Sequence, residues 1–283
     1  KDALLSFQDR KFRGNFIVDI DGNYILLINH CDLEKYLYGV IRNEVSPDWP
    51  NEAIKAQIIA ARTYALFKKN YNKNNKYYLE ATTHFQIYRG YEKEDSTINN
   101  LIDSTRGIIL IYNNKPIEAI YHSSCGGFTE NAQDVWGKEL EYLKGVYTDY
   151  CRSSKAFNWN KFISYEKISR MLSNKIKMSS SVNYVKIGKT SNSRRVLTLI
   201  FSTSNGKTYE IPGKDFRLWF GNKDIPSTLF TIRNEKTGIF LEGRGFGHGV
   251  GLCQMCAKEM AKRGSKYSEI LHYFYRNISL NIY

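Results

Sequence analysis

The sequence predicts a mixed α/β fold: helices packed on a mixed sheet, with a basic α+β subdomain inserted between two parts of the core. Three observations predict it. Apolar and polar residues alternate in several short runs, the signature of half-buried strands. Two longer segments repeat apolar residues at helical spacing. The net charge of +13 on 283 residues is concentrated, because residues 152–234 carry sixteen Lys/Arg against four Asp/Glu. A chain of this length supports one large domain or two modest ones. The charge break assigns residues 1–151 and 235–283 to the core and 152–234 to the insert. Hydrophobic residues make up 42% and prolines number five, which excludes a disordered or collagen-like chain. No apolar run reaches the roughly 18 residues of a membrane span.

The elements follow in order. Residues 11–28 alternate around Asp21-Gly22, a hairpin pattern. Asp32 suits the N-cap of a helix over 33–43, with Tyr36, Leu37, Val40 and Ile41 on its apolar face. Ser46-Pro47-Asp48-Trp49-Pro50 breaks the chain before a second helix over 51–69, whose core stripe is Ile54, Ile58, Ala61 and Ala65. Residues 108–112 and 117–121 read as paired strands leading to His122. Inside the basic block, 183–190, 195–203 and 207–211 read as strands, the last two joined by a turn at Ser204-Asn205-Gly206. Near the C terminus come a strand over 238–243, a glycine-rich loop over 243–251 and a helix over 252–263 stopped by Gly264.

Three segments carry residues suited to chemistry. Glu44, in Arg42-Asn43-Glu44-Val45, stands where a helix meets a Pro-rich bend, so a cleft can form around it. A carboxyl lodged against apolar neighbours holds its proton near neutral pH. The plainer alternative is a surface carboxylate paired with Arg42 or Arg62. The second segment is His122-Ser123-Ser124-Cys125-Gly126-Gly127, followed by Thr129-Glu130 and Val135-Trp136-Gly137. The third is Gly243-Arg244-Gly245-Phe246-Gly247-His248-Gly249-Val250-Gly251-Leu252-Cys253-Gln254, a loop whose backbone N–H groups can turn inward before a helix begins. A histidine inside the glycine run, and no βαβ unit after it, set it apart from a dinucleotide fingerprint.

Of the five cysteines, Cys125, Cys151 and Cys253 together with His122 form a donor set suited to tetrahedral zinc. A disulfide among them, or plain buried thiols, are the alternatives. Cys31 and Cys256 read as core thiols, and His30, His84 and His272 as structural histidines.

Taken together, these segments resemble the stage II sporulation protein D family of bacterial cell-wall lytic transglycosylases. The stretches that carry the resemblance also include Glu52-Ala53-Ile54-Lys55-Ala56-Gln57 and Ala60-Ala61-Arg62-Thr63-Tyr64, and all occur in the family's order. Many relatives have Ser or Gly in place of Cys125 and Cys253, so the zinc expectation rests on the thiols of this chain. The resemblance implies that Glu44 is the catalytic acid/base. It implies cleavage of the β-1,4 bond between N-acetylmuramic acid and N-acetylglucosamine in peptidoglycan, leaving 1,6-anhydro-muramoyl ends. It further implies an extracytoplasmic setting, an N-terminal membrane tether or anchor protein, and an amidase that strips the stem peptides first. The His248 loop, Arg62, Gln57 and Ser123 are the expected sugar contacts, and Tyr88, Trp49 and Trp136 the expected stacking faces. The basic block suits the carboxylates and phosphates of wall polymers; no recognition motif points to nucleic acid. The rival readings are a non-catalytic glycan scaffold that recruits an amidase, and a zinc hydrolase of wall peptides.

Overall fold

The structure, a computed structural model, describes residues 4–82 and 86–283. It is a mixed α/β protein that divides into two compact units: residues 1–120, 260–273 and 277–283, and residues 121–259 with 274–276. His84 lies outside the described residues.

The first unit opens with two hairpins, Leu5–Phe7 with Arg10–Phe12 and Asn15–Asp21 with Tyr24–His30. The Asp32 carboxylate caps the helix Leu33–Glu44, accepting from the N–H groups of Glu34 and Lys35. Leu37, Val40 and Ile41 of that helix are fully buried. They pack with the long helix Asn51–Tyr71, whose Ile54, Ile58, Ala61 and Ala65 face the core as the spacing predicts. The helix Ser96–Ser104 adds Ile98 and Ile102.

Arg62 joins these parts. Its guanidinium is fully buried and holds the Glu34 carboxylate through Nε at 2.9 Å and Nη2 at 2.8 Å. It also donates to the carbonyls of Ile108 and Ile102, while Glu34 accepts the N–H of Gly107 at 3.1 Å. This corrects the expectation that Arg62 contacts the sugar: it is sealed in the core and its donors are engaged there.

The expected strand pair 108–112 with 117–121 is also corrected. Ile108–Tyr112 pairs with Ser279–Ile282 on one edge and only with Lys115–Pro116 on the other. Asn113 and Asn114 both have positive φ, which makes a tight two-residue turn. Beyond Pro116 the Ile117 N–H still reaches the Leu110 carbonyl at 3.1 Å, and the chain then departs, burying Ile117 and Ala119 as it goes.

In the second unit, Asn158–Ser164, Gly238–Arg244 and Phe230–Glu235 form one antiparallel sheet, and Val182–Thr190, Val196–Thr203 and Thr208–Pro212 another. With the helices Tyr165–Ile176 and Gly213–Phe220 they enclose a core that includes Leu172, Val185, Leu199, Phe201 and Phe216. The basic block thus has a core of its own, which extends to Ile239 and Leu241. Tyr121–His122 runs parallel to Leu252–Cys253, so the helix predicted from 252 begins only at Gln254 and runs to Lys262. Among the described residues, no helix is long and apolar enough to cross a membrane.

Replacing Glu34 by Gln leaves the Arg62 charge buried without its counter-ion. Denaturant titration of E34Q is expected to show a loss of ~3–5 kcal/mol, whereas the double variant E34L/R62M loses distinctly less.

Candidate functional site

Glu44 is the last residue of the helix Leu33–Glu44 and is half-buried. The chain turns extended at Val45, whose N–H still bonds the Ile41 carbonyl at 3.0 Å. Just before it, Asn43 ties the helix to a second segment, with Nδ2 donating to the carbonyls of Gly39 (2.9 Å) and Ile87 (3.1 Å). The Tyr88 ring presses on Gly39 so closely that a Cβ there would lie 2.5 Å from its Cε2. Tyr88 stacks on Tyr36 with ring centres 5.2 Å apart, and the Tyr36 hydroxyl donates to Gln86. Burial raises the Tyr36 phenol, and Glu44 is among the negative groups that raise it further. A groove of about 430 Å³ opens at this helix end, lined by Arg42, Asn43, Ile87, Arg89, Glu92, Lys93 and Glu94. Gln57 is buried on the inner face of the long helix.

The second unit gathers the other two segments. Ser124 and Phe246 exchange backbone hydrogen bonds at 3.0 and 2.8 Å, and the N–H of Glu130 reaches the carbonyl of Gly249 at 2.8 Å. Ser123 is half-buried, its carbonyl accepting the N–H of Met255 at 3.0 Å. Arg195, from the basic block, lies against this loop. Gly249 has φ +88°, and a Cβ on it would stand 2.5 Å from the Arg195 guanidinium carbon, so glycine is required on both counts.

The sulfurs of Cys125, Cys151, Cys253 and Cys256 all lie within 4.8 Å of one another, fully buried, and none of the five thiols is in a disulfide. The 3.4 Å from Cys125 to Cys151 and 3.6 Å from Cys125 to Cys256 approach the roughly 3.8 Å edge of a tetrahedron with 2.3 Å metal–sulfur bonds. Backbone N–H groups of Cys125 and Gly127 point at Cys253 and Cys125 sulfurs, respectively. The hydrogen bonds from its neighbours hold Cys151 toward the thiolate. Arg195 adds a positive charge, donating Nη2 to the Cys125 carbonyl at 2.6 Å. The quartet therefore fits a metal ion, with one correction to the predicted donor set. Cys256 supplies the fourth donor, because Cys253 immediately precedes the helix that begins at Gln254 and Cys256 lies in its first turn. His122 is instead fixed by its Nδ1, 3.0 Å from the Val250 carbonyl.

His122 and His248 stand 5.5 Å apart between ring centres, and Trp136 packs 5.2 Å from His248. Burial, then His248 and Arg195, push the His122 imidazole well below its ordinary value. Burial, then Arg217 and Arg195, push His248 down to about 3. Both rings are therefore neutral at physiological pH. His248 Nδ1 accepts the N–H of Val250 at 3.1 Å, which fixes its tautomer. Glu130 is buried and raised by that burial, although Ser191 and Ser193 donate to its carboxylate.

Sequence reasoning missed Cys256 as a donor, and it missed Arg195 and Arg217. The Cys253-x-x-Cys256 spacing was the available signal for the first. Arg195 is one cation in a basic run, and nothing local distinguishes it from its solvated neighbours.

The family profile described as "Stage II sporulation protein" matches residues 21–112, and the profile of a domain of unknown function matches residues 130–251. An uncharacterised protein of Brachyspira hyodysenteriae is 34% identical over 258 residues, covering 90% of this chain and 68% of its own. "Stage II sporulation protein D" of Bacillus subtilis is 32% identical over 269 residues, covering 90% and 76%. The "Amidase enhancer" of the same organism is 29% identical over 292 residues, covering 87% and 40%.

Two outcomes follow from this geometry. Cobalt(II) added to the reduced chain is expected to give the intense ligand-to-metal bands of a tetrahedral thiolate site; Cys256→Ser weakens them, whereas His122→Asn leaves them in place. The His248 value lies below the roughly 6.5 of an unfolded chain. The unfolded state therefore binds the extra proton between about 6.5 and about 3, and stability falls as pH drops through that window. Urea midpoints for His248→Asn should decline less steeply there than those of the parent.

Proposed function

The chain belongs to the stage II sporulation protein D family, and from that premise we propose that it is a peptidoglycan lytic transglycosylase with Glu44 as its acid/base. The family supports a role in the cell wall during sporulation, hence outside the cytoplasmic membrane. The observation that supports the activity is the position of Glu44: a half-buried carboxyl at a helix end, next in the chain to Asn43, which lines an open groove, and near enough to the Tyr36 phenol to act on it.

The chemistry requires only one carboxyl. Ordinary glycosidases use two, one to protonate the leaving oxygen and one as base or nucleophile. Here protonated Glu44 gives its proton to the glycosidic oxygen as the bond from C1 of N-acetylmuramic acid breaks. The C6 hydroxyl of the same sugar attacks C1, and its proton passes to the Glu44 carboxylate. The acid is regenerated, no water is consumed, and the 1,6-anhydro ring closes. Intramolecular attack carries the effective-molarity advantage of a pre-positioned nucleophile. In this reading the groove cations Arg42 and Arg89 and the Tyr88 ring hold the strand at this end, and Ser123 and His248 contact glycan on the second unit. An amidase acting first, and a tether preceding this chain, complete the proposal.

Zinc is the ion we assign to the thiol quartet. Four thiolates fill a tetrahedron and leave no position for water or substrate, which makes the site structural rather than catalytic. This counts against a zinc hydrolase of wall peptides. The likeness to the amidase enhancer favours one second reading, a scaffold that binds glycan and recruits an amidase without cutting the strand itself.

Digestion of denuded glycan strands followed by mass analysis separates these readings. The parent is expected to release anhydro-ended fragments, and Glu44→Gln to lose ~10²-fold or more of that rate while keeping glycan binding. Reducing ends would replace transglycosylation with hydrolysis, and no release by the parent would leave the scaffold.

A further inference from the structure

The hairpin Asn15–Asp21 with Tyr24–His30 is a two-stranded sheet, and its register sorts the side chains onto two faces. Val18 stands opposite Leu27, and Ile20 opposite Ile25 two positions further along, so these four share one face. Near the base of that face Phe16 packs edge-on against Phe7 and Phe12. Toward the tip the face is open: Val18 is 67% exposed, Ile20 70% and Ile25 80%. Three β-branched aliphatic side chains grouped in water mark a surface that a partner covers.

The other face carries Asp19 and Asp21, opposite Leu26 and Tyr24. Both acids belong to Lys76. Its Nζ lies 3.0 Å from Asp19 and 3.5 Å from Asp21, and it donates to the Ile20 carbonyl at 2.6 Å. Lys76 thus clasps the hairpin tip to the segment that follows the long helix. Within that segment the Asn72 side chain donates to the Tyr78 carbonyl at 2.9 Å, which closes the turn. From Thr63 to Leu79 the chain holds Lys68, Lys69, Lys73 and Lys76 and no acidic residue. Lys68 is tied to Glu118 and Lys76 to the two aspartates, whereas Lys69 and Lys73 are exposed. Tyr24 at the tip and Tyr71 on the segment are exposed as well.

Aliphatic side chains, tyrosines and exposed lysines on one clasped unit match the layers of a membrane surface: acyl chains, interfacial zone and anionic headgroups. A second copy of this chain would repeat the lysines and set like charges across an isologous contact. We infer that the hairpin tip, with Lys69 and Lys73, is a docking surface for an anionic lipid bilayer, Val18, Ile20 and Ile25 entering the headgroup boundary. The contact belongs to the folded chain itself and needs neither a tether nor the Glu44 chemistry.

The test is co-sedimentation of the whole chain with vesicles of phosphatidylcholine alone and of phosphatidylcholine mixed with phosphatidylglycerol. The basic block attracts any anionic surface, so variants of matched charge carry the comparison. The parent is expected to bind the mixed vesicles about tenfold more tightly than the neutral ones. Ile20→Ser with Ile25→Ser alters no charge and should weaken that binding about tenfold, with the far-ultraviolet spectrum of the parent retained. Lys69→Gln with Lys73→Gln should weaken it about tenfold as well. Lys186→Gln with Lys189→Gln makes the same charge change on an exposed strand of the basic block and should stay within about twofold. Parent binding no tighter to mixed vesicles than to neutral ones overturns the inference. Full binding by I20S/I25S overturns it too, leaving only attraction to the basic block. So does equal weakening by the two lysine pairs, a comparison that stands even if I20S/I25S fails to fold. Sedimentation velocity without lipid covers the rival occupant: a parent dimer that I20S/I25S abolishes assigns the face to a second copy and overturns the inference.

Discussion

The first unit is built around one buried ion pair. Arg62 on the long helix and Glu34 on the preceding helix meet with full burial on both sides. Taking two charges out of water is costly, and the cost is recovered only if every remaining donor and lone pair is satisfied. That demand recruits the carbonyls of Ile102 and Ile108 and the N–H of Gly107, fixing the third helix and the strand Ile108–Tyr112 relative to the first two helices. Glu44 sits at the far end of the helix that Glu34 begins, so this pair also sets the orientation of the proposed acid.

The second unit answers a similar demand with a different charge. Hydrogen bonds from the other thiols hold Cys151 toward the thiolate, while burial pushes Cys253 up, and a thiolate in an apolar interior needs positive charge nearby. The quartet could hold a metal ion that would supply it. Arg195 supplies more, reaching from the basic block to the Cys125 carbonyl. The basic block is thus not merely a solvated surface. One of its arginines is structural, and another, Arg217, flanks the glycine loop.

Burial, with Arg195 acting on both rings and Arg217 on His248, accounts for the neutral histidines. His248 lies in the field of both Arg217 and Arg195, so a proton on its ring is opposed from two sides as well as by burial. A neutral imidazole with a fixed tautomer orients a ligand by hydrogen bonding, a role distinct from that of a charged one.

Much of this was legible in the sequence. The apolar spacing of both long helices, the Asp32 cap and the hairpin turn are local properties, decided within a few residues by backbone sterics and side-chain reach, and the structure reproduces them. Glu44 was marked by its place at a helix end. Tertiary structure alone decided the partners. It committed Arg62 to Glu34, replaced His122 by Cys256 among the thiols, and drew Arg195 from a run of similar cations into the interior. The physical reason is that pairing and burial of a charge depend on residues distant in the chain, 28 positions away for Arg62 and 70 for Arg195. No local pattern encodes such distances; they arise only when the core closes.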